Sequence, residues 1–138
     1  MLPSVSLWSQ LDGCIVLCVD NEPAILDGMR SLLENWHCKV LQASDAVQAL
    51  AVMSEAGGPP DLILVDYHLA AETGIDCIGT VRAQAGYDVP AILITADRSP
   101  GVEDEARTNG LQLLRKPLKP AALRALMTRL HTRRAAAE

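Results

Sequence analysis

The sequence predicts an α/β fold, a single doubly wound (βα)5 domain with a five-stranded parallel sheet and helices on both faces. Three observations carry that prediction. Short apolar runs alternate with helical periodicities, and the alternation repeats five times along the 138 residues. The runs at 14–19 and 62–65 are apolar at every position, as in parallel strands buried on both faces. No repeat, composition break or low-complexity linker interrupts the pattern, and the length suits one domain with a sizeable core. Right-handed crossovers between parallel strands then place helices on both sides of the sheet.

The first strand is Cys14 to Val19. Pro23 suits the first turn of the helix that follows, where Ile25, Met29, Leu32 and Trp36 form an apolar stripe. A brief second strand spans Lys39 to Gln42. Ser44 is placed to cap a helix striped by Ala46, Ala49, Leu50 and Met53. Gly57-Gly58-Pro59-Pro60 ends it. Leu62 to Val65 is the third strand, terminating in Asp66, and a loop through Gly74 leads to a helix carrying Ile75, Ile78 and Val81. Val89 to Thr95 is the fourth strand. Ser99-Pro100 opens a short helix with Glu103, Asp104 and Glu105 near its positive end. Its stripe, Val102 and Ala106, is thin, which predicts the loosest of the five helices. Asn109-Gly110 closes it, Leu111 to Leu114 is the fifth strand, and the last helix shows Leu123, Leu126, Met127 and Leu130. Residues 1–12 read as an extension or linker, 13–132 as the domain, and 133–138 as a tail.

Composition narrows the function. Aromatic residues are 3% of the chain and Phe is absent, so the core must be aliphatic and base stacking is excluded as a main mechanism. Twelve Lys and Arg against seventeen Asp and Glu leave a net charge of −5, which repels nucleic-acid phosphates and anionic membranes. Cys14, Cys18, Cys38 and Cys77 show no metal-ligand spacing and read as buried free thiols. That fits a cytoplasmic setting. The first twelve residues lack a signal peptide's pattern, and no window reaches the roughly 18 apolar residues of a membrane span.

In open parallel sheets, ligands gather at the carboxyl ends of the strands. Those ends are Asp20-Asn21-Glu22, Asp66, Thr95 and Lys116-Pro117. Carboxylates, a hydroxyl and an ammonium thus converge on one edge. Crowded carboxylates repel one another unless a cation neutralises them. Oxygen-only ligands point to a hard ion, above all Mg²⁺, bound through one or two carboxylates and a phosphoryl group.

Val19-Asp20-Asn21-Glu22-Pro23, Asp66-Tyr67-His68-Leu69 with Gly74 eight residues after Asp66, Ile94-Thr95-Ala96 and Lys116-Pro117 stand in a familiar order and spacing. In these the chain resembles response-regulator receiver domains, over roughly residues 13 to 132. More narrowly, the runs VDNEPAILDGM, DYHL, TGID and LITADRSP are similar to the receivers that end hybrid sensor histidine kinases. The resemblance implies strand order 2-1-3-4-5. It implies that Asp66 takes a phosphoryl group from the phosphohistidine of a histidine kinase or phosphotransfer protein. Mg²⁺ would be held by Asp66, Asp20, Asn21 and the backbone carbonyl of His68. Lys116 would meet one phosphoryl oxygen as a point charge, with the Lys116–Pro117 bond cis. Thr95 would hydrogen-bond another, and its displacement would be the signal read on the fourth helix, fifth strand and fifth helix. Hybrid-kinase parentage would make residues 1–12 a linker.

Glu22 fits two roles equally, in the metal site or at a helix dipole. His37, His68 and His131 read as exposed or incidental, His68 acting through its carbonyl. Two departures from the family pattern bear on mechanism. Asn21 stands where receivers usually have a second acid that binds Mg²⁺, and Leu113 stands where they usually have Tyr or Phe. A ring flip coupled to Thr95 therefore cannot operate in that form. Ala70, where many receivers have Pro, is a smaller one. Asn21 and Leu113 support a rival reading, a degenerate receiver used only as a protein-interaction module. A haloacid-dehalogenase-type phosphatase is the enzymatic rival. It requires D-x-D, and here the residue two after Asp66 is His68. The sequence leaves oligomeric state, cognate donor and downstream partner open.

Overall fold

The computed structural model describes residues 10–137. Its parallel strands are β1 (Ile15–Val19), β2 (Lys39–Ala43), β3 (Leu62–Asp66), β4 (Ala91–Thr95) and β5 (Gln112–Arg115), in the order β2-β1-β3-β4-β5. They alternate with α1 (Pro23–Asn35), α2 (Ala46–Ala56), α3 (Gly74–Ala85), α4 (Pro100–Thr108) and α5 (Pro120–Ala137). The order is the one the resemblance implies. Strand limits differ from the sequence reading by one or two residues.

Successive strand residues point to opposite faces of a sheet, so two cores form. Leu17, Val19, Ile63, Val65 and Leu93 pack with Ala46, Ala49 and Met53 of α2 and Cys77, Ile78 and Val81 of α3. On the other face Val16, Cys18, Leu64, Ile92 and Ile94 pack with Met29 and Leu33 of α1 and Leu123, Leu126 and Met127 of α5. Each fully buried aliphatic side chain contributes about 1.5–3 kcal/mol. Among the described residues no aromatic side chain is fully buried in the core, and Trp36, Tyr67 and Tyr87 pack against it from the margin. All four cysteines are buried free thiols.

Local differences have local causes. Leu33 is fully buried where the stripe pointed to Leu32, which is half-buried with Ile25 and Trp36. Asp45, not Ser44, caps α2. Its carboxylate accepts the Gln48 N–H at 2.9 Å, while the Gln48 amide oxygen accepts from the Ser44 N–H and hydroxyl. Shifting the cap by one residue satisfies both. Pro23 and Pro100 occupy the first turns of α1 and α4, as read from the sequence.

Residues 1–9 of the expected extension lie outside the described residues, whereas Leu11 is buried in the core. Helical backbone continues through residues 133–137, where the sequence reads as a tail. Among the described residues no helix is long and apolar enough to cross a membrane.

Candidate functional site

Val19 of β1 lies opposite Val65 of β3, so the next residues, Asp20 and Asp66, emerge side by side at the carboxyl edge. Asp66 faces Ile94 across to β4, and Thr95 faces Arg115 on β5. The central strands therefore deliver Asp20, Asp66, Thr95 and Lys116 to one edge in spatial sequence. The Lys116 N–H donates to the Thr95 carbonyl at 2.8 Å, and the Lys116–Pro117 peptide is cis. The Lys116 ammonium lies 3.4 Å from Asp66 Oδ1 and 3.8 Å from Asp20 Oδ2, bridging the two carboxylates.

The Asp20 side chain is 4% exposed and that of Asp66 13%, so both charges sit largely out of water. Burial pushes the Asp66 carboxyl above the usual range, and the negative charge of Asp20 adds to this against the opposing pull of Lys116. One ammonium between two carboxylates leaves net negative charge. The oxygen donor set and the disfavoured ionisation of Asp66 both suit a hard divalent cation such as Mg²⁺. Asp20 is held by the Glu22 N–H, which donates to its Oδ1 at 2.9 Å.

Gly74 explains its own place in the motif. It starts α3 beneath the loop that follows Asp66, and its N–H donates to the Tyr67 carbonyl at 2.7 Å. A Cβ there would run into the backbone carbonyl of Asp66, with Leu93 close behind. Only glycine permits this approach.

Thr95 is fully buried, and its hydroxyl accepts the Asp97 N–H at 2.9 Å. Asn21 and Glu22 are exposed at the rim. The Glu22 carboxylate does not join Asp20 and Asp66 in a tight three-carboxylate group; Glu22 takes the N-cap position of α1 without a side-chain cap bond. The exposed His68 ring contacts Asp97 Oδ2 at 3.0 Å. Leu113, opposite Leu93, is half-buried against the core.

Sequence reasoning missed a polar network beside the site. Asp97 accepts from the Ser99 N–H on Oδ1 and meets His68 on Oδ2. These bonds, Ser99's first, hold its carboxyl down to about 2. The Asp97 carbonyl accepts from Arg115 at 2.7 Å, and Arg115 also pairs with Glu103 of α4 at 3.1 Å. The Tyr67 hydroxyl donates to Glu105 of α4, which drives its pKa up to about 12. The Asp-x-Ser-Pro string at 97–100 signals the Ser99 turn. Nothing in the sequence signals the contacts to α4, which depend on how two loops fold together.

The model of the response regulator receiver domain family matches residues 16–128. Among curated proteins, the chain is 31% identical over 127 residues to the phosphate regulon transcriptional regulatory protein PhoB of Pseudomonas aeruginosa, covering 85% of this chain and 53% of that protein. It is 33% identical over 110 residues to the alginate biosynthesis regulator AlgB of the same organism, covering 79% and 24%. The chain thus spans about half or less of these relatives. Among solved structures it is similar to Vibrio cholerae chemotaxis protein CheY4 (TM-score 0.75, 28% identity, 86% and 98% of the two chains). It is also similar to the receiver of the P. aeruginosa sensor histidine kinase PA1611, solved with magnesium in its active-site cleft (0.74, 27%, 87% and 98%). The chain belongs to the response regulator receiver domain family of two-component signalling.

Proposed function

We propose that this receiver is phosphorylated on Asp66 by a phosphohistidine of a histidine kinase or phosphotransfer protein, with Mg²⁺ as cofactor. The observation that carries the reading is the Asp66–Lys116–Asp20 cluster, with the buried Thr95 hydroxyl at the next strand end. An Asp66 carboxylate oxygen attacks phosphorus, the P–N bond breaks, and its electron pair returns to the donor imidazole, which takes a proton from solvent. The transition state spreads charge over three equatorial oxygens, so alignment and neutralisation are the main requirements. Lys116 supplies positive charge on one side. Thr95 can donate its hydroxyl hydrogen to a phosphoryl oxygen while still accepting from Asp97. Mg²⁺ held by Asp20, Asp66, the Asn21 amide oxygen and the His68 carbonyl would neutralise the remaining charge.

The groove of Ile25, Met29, Leu32, Pro117 and Leu118 is also lined by Lys116, the Asp66 partner, and offers a donor helix an apolar seat. With Leu113 in place of a ring, the signal runs instead from Thr95 through Asp97 and Arg115 to Glu103, and from Tyr67 to Glu105. Both routes end on α4. Parentage in a hybrid histidine kinase rests on the residue runs and on the likeness to the PA1611 receiver; the coding sequence on either side tests it.

Incubation with Mg²⁺ and acetyl phosphate, followed by intact-mass measurement, is expected to add one phosphoryl group to the wild type and none to Asp66→Asn. If neither acetyl phosphate nor a phosphohistidine donor modifies the wild type, the interaction-module reading, which Asn21 and Leu113 favour, stands instead.

A further inference from the structure

Far from Asp66, the opposite edge of the sheet gathers a second set of ligating side chains. Cys14 precedes β1, Asp61 precedes β3, and His131 lies well along α5, which brings it back to the amino ends of the strands. One ligand atom of each lies within 4.8 Å of the others. Among the described residues this is the one such group of three or more His, Cys, Asp or Glu side chains.

The surroundings resemble a prepared site. Asp61 is oriented by the Ile15 N–H, which donates to its Oδ2 at 2.9 Å; such an outer hydrogen bond fixes a ligating carboxylate. Cys14 is fully buried, while Asp61 and His131 are half-buried, so an ion has a polar way in from solvent. The Nδ1 atom of His131 is buried and has no hydrogen-bond partner among the described residues. Buried polar atoms are rarely left unsatisfied. A second thiol, Cys38, is buried just before β2 and hydrogen-bonds Cys14.

We propose that Cys14, Asp61 and His131 form a binding site for a borderline-soft divalent transition metal of the Zn²⁺ class, independent of the phosphoacceptor site. Thiolate and imidazole select such an ion over Mg²⁺, which prefers an all-oxygen set. Binding transfers the Cys14 thiol proton to solvent as the sulfur becomes a ligand. The ion would tie β1, β3 and α5 together at the edge away from the signalling surface.

Co²⁺ titration of the reduced 138-residue chain tests the site, because cobalt bound to thiolate has a charge-transfer absorption that carboxylate ligands lack. The wild type is expected to show that absorption, and Zn²⁺ to displace it at one equivalent. Asp66→Asn is expected to leave it unchanged. His131→Gln, a half-buried position, is expected to weaken Co²⁺ binding at least about tenfold, as loss of even an outer partner of a ligand commonly does. Cys14→Ala, with its fold checked by circular dichroism, is expected to diminish the band. Absence of thiolate absorption in the folded wild type overturns the proposal. So does an unchanged titration in His131→Gln, which remains decisive if Cys14→Ala fails to fold.

Discussion

Asn21 carries the sharpest residue-level consequence for cation binding. It stands exposed next to the buried Asp20, and in the proposed cation site it would offer an amide oxygen where a carboxylate would add a charge. Asn21→Asp is expected to tighten Mg²⁺ binding by at least about 1 kcal/mol, several-fold in Kd, since two unit charges near contact interact by that much even in water. Isothermal titration with Mg²⁺ checks it, and unchanged affinity would remove Asn21 from the site. Gly74→Ala is expected to destabilise the domain by about 1–3 kcal/mol, the usual cost of forcing extra volume into a packed place, because its Cβ meets the Asp66 carbonyl. Urea unfolding checks it. Asp66, Asp20, Thr95 and Lys116 were legible in the sequence because each ends or follows an apolar run whose direction is fixed by parallel pairing. Asp97 was not, since its role comes from a turn that aims it back at Thr95 and His68.

At the scale of elements, α4 is the one on which both proposed signal routes end. It buries Val102 and Ala106, the thin stripe read from the sequence. Polar bonds from Tyr67 and Arg115 supplement that small contact. Tyr67→Phe is expected to speed amide hydrogen exchange across 100–108 by a factor corresponding to about 1 kcal/mol, the worth of one hydrogen bond. Unchanged exchange there would detach α4 from the loop that follows Asp66. Acid acts on the same contacts. The depressed Asp97 carboxyl contributes stability at and above its ordinary range near 4, which is lost as pH falls toward about 2. Element order and type were readable because apolar runs and helical stripes are local patterns. Helix phase was readable only to within a residue. Leu33 is fully buried while Ile25, Leu32 and Trp36 pack at the margin of the same core, because the sheet, not the stripe alone, sets the rotation of α1. The cap of α2 moved to Asp45 because Gln48 reaches back to Ser44.

For the whole molecule, the site is a cost to the fold. The folded-state pKa of Asp66 lies above its unfolded value, so the folded state binds more protons between the two, and stability falls as pH rises through that window. At neutral pH the full cost of the buried charge is present. Asp66→Asn is therefore expected to raise Tm at pH 7, by about 1 kcal/mol in stability terms, with the gain shrinking as pH falls below the Asp66 pKa. Calorimetry at two pH values checks the sign. The most direct test of the central claim is chemical. After incubation with Mg²⁺ and acetyl phosphate, borohydride converts an aspartyl phosphate to homoserine, and tandem mass spectrometry locates it. Homoserine at position 66, absent without the phosphodonor, is the result predicted. Its appearance at another aspartate, or its absence while phosphorylated protein is present, would contradict the assignment of Asp66 as phosphoacceptor.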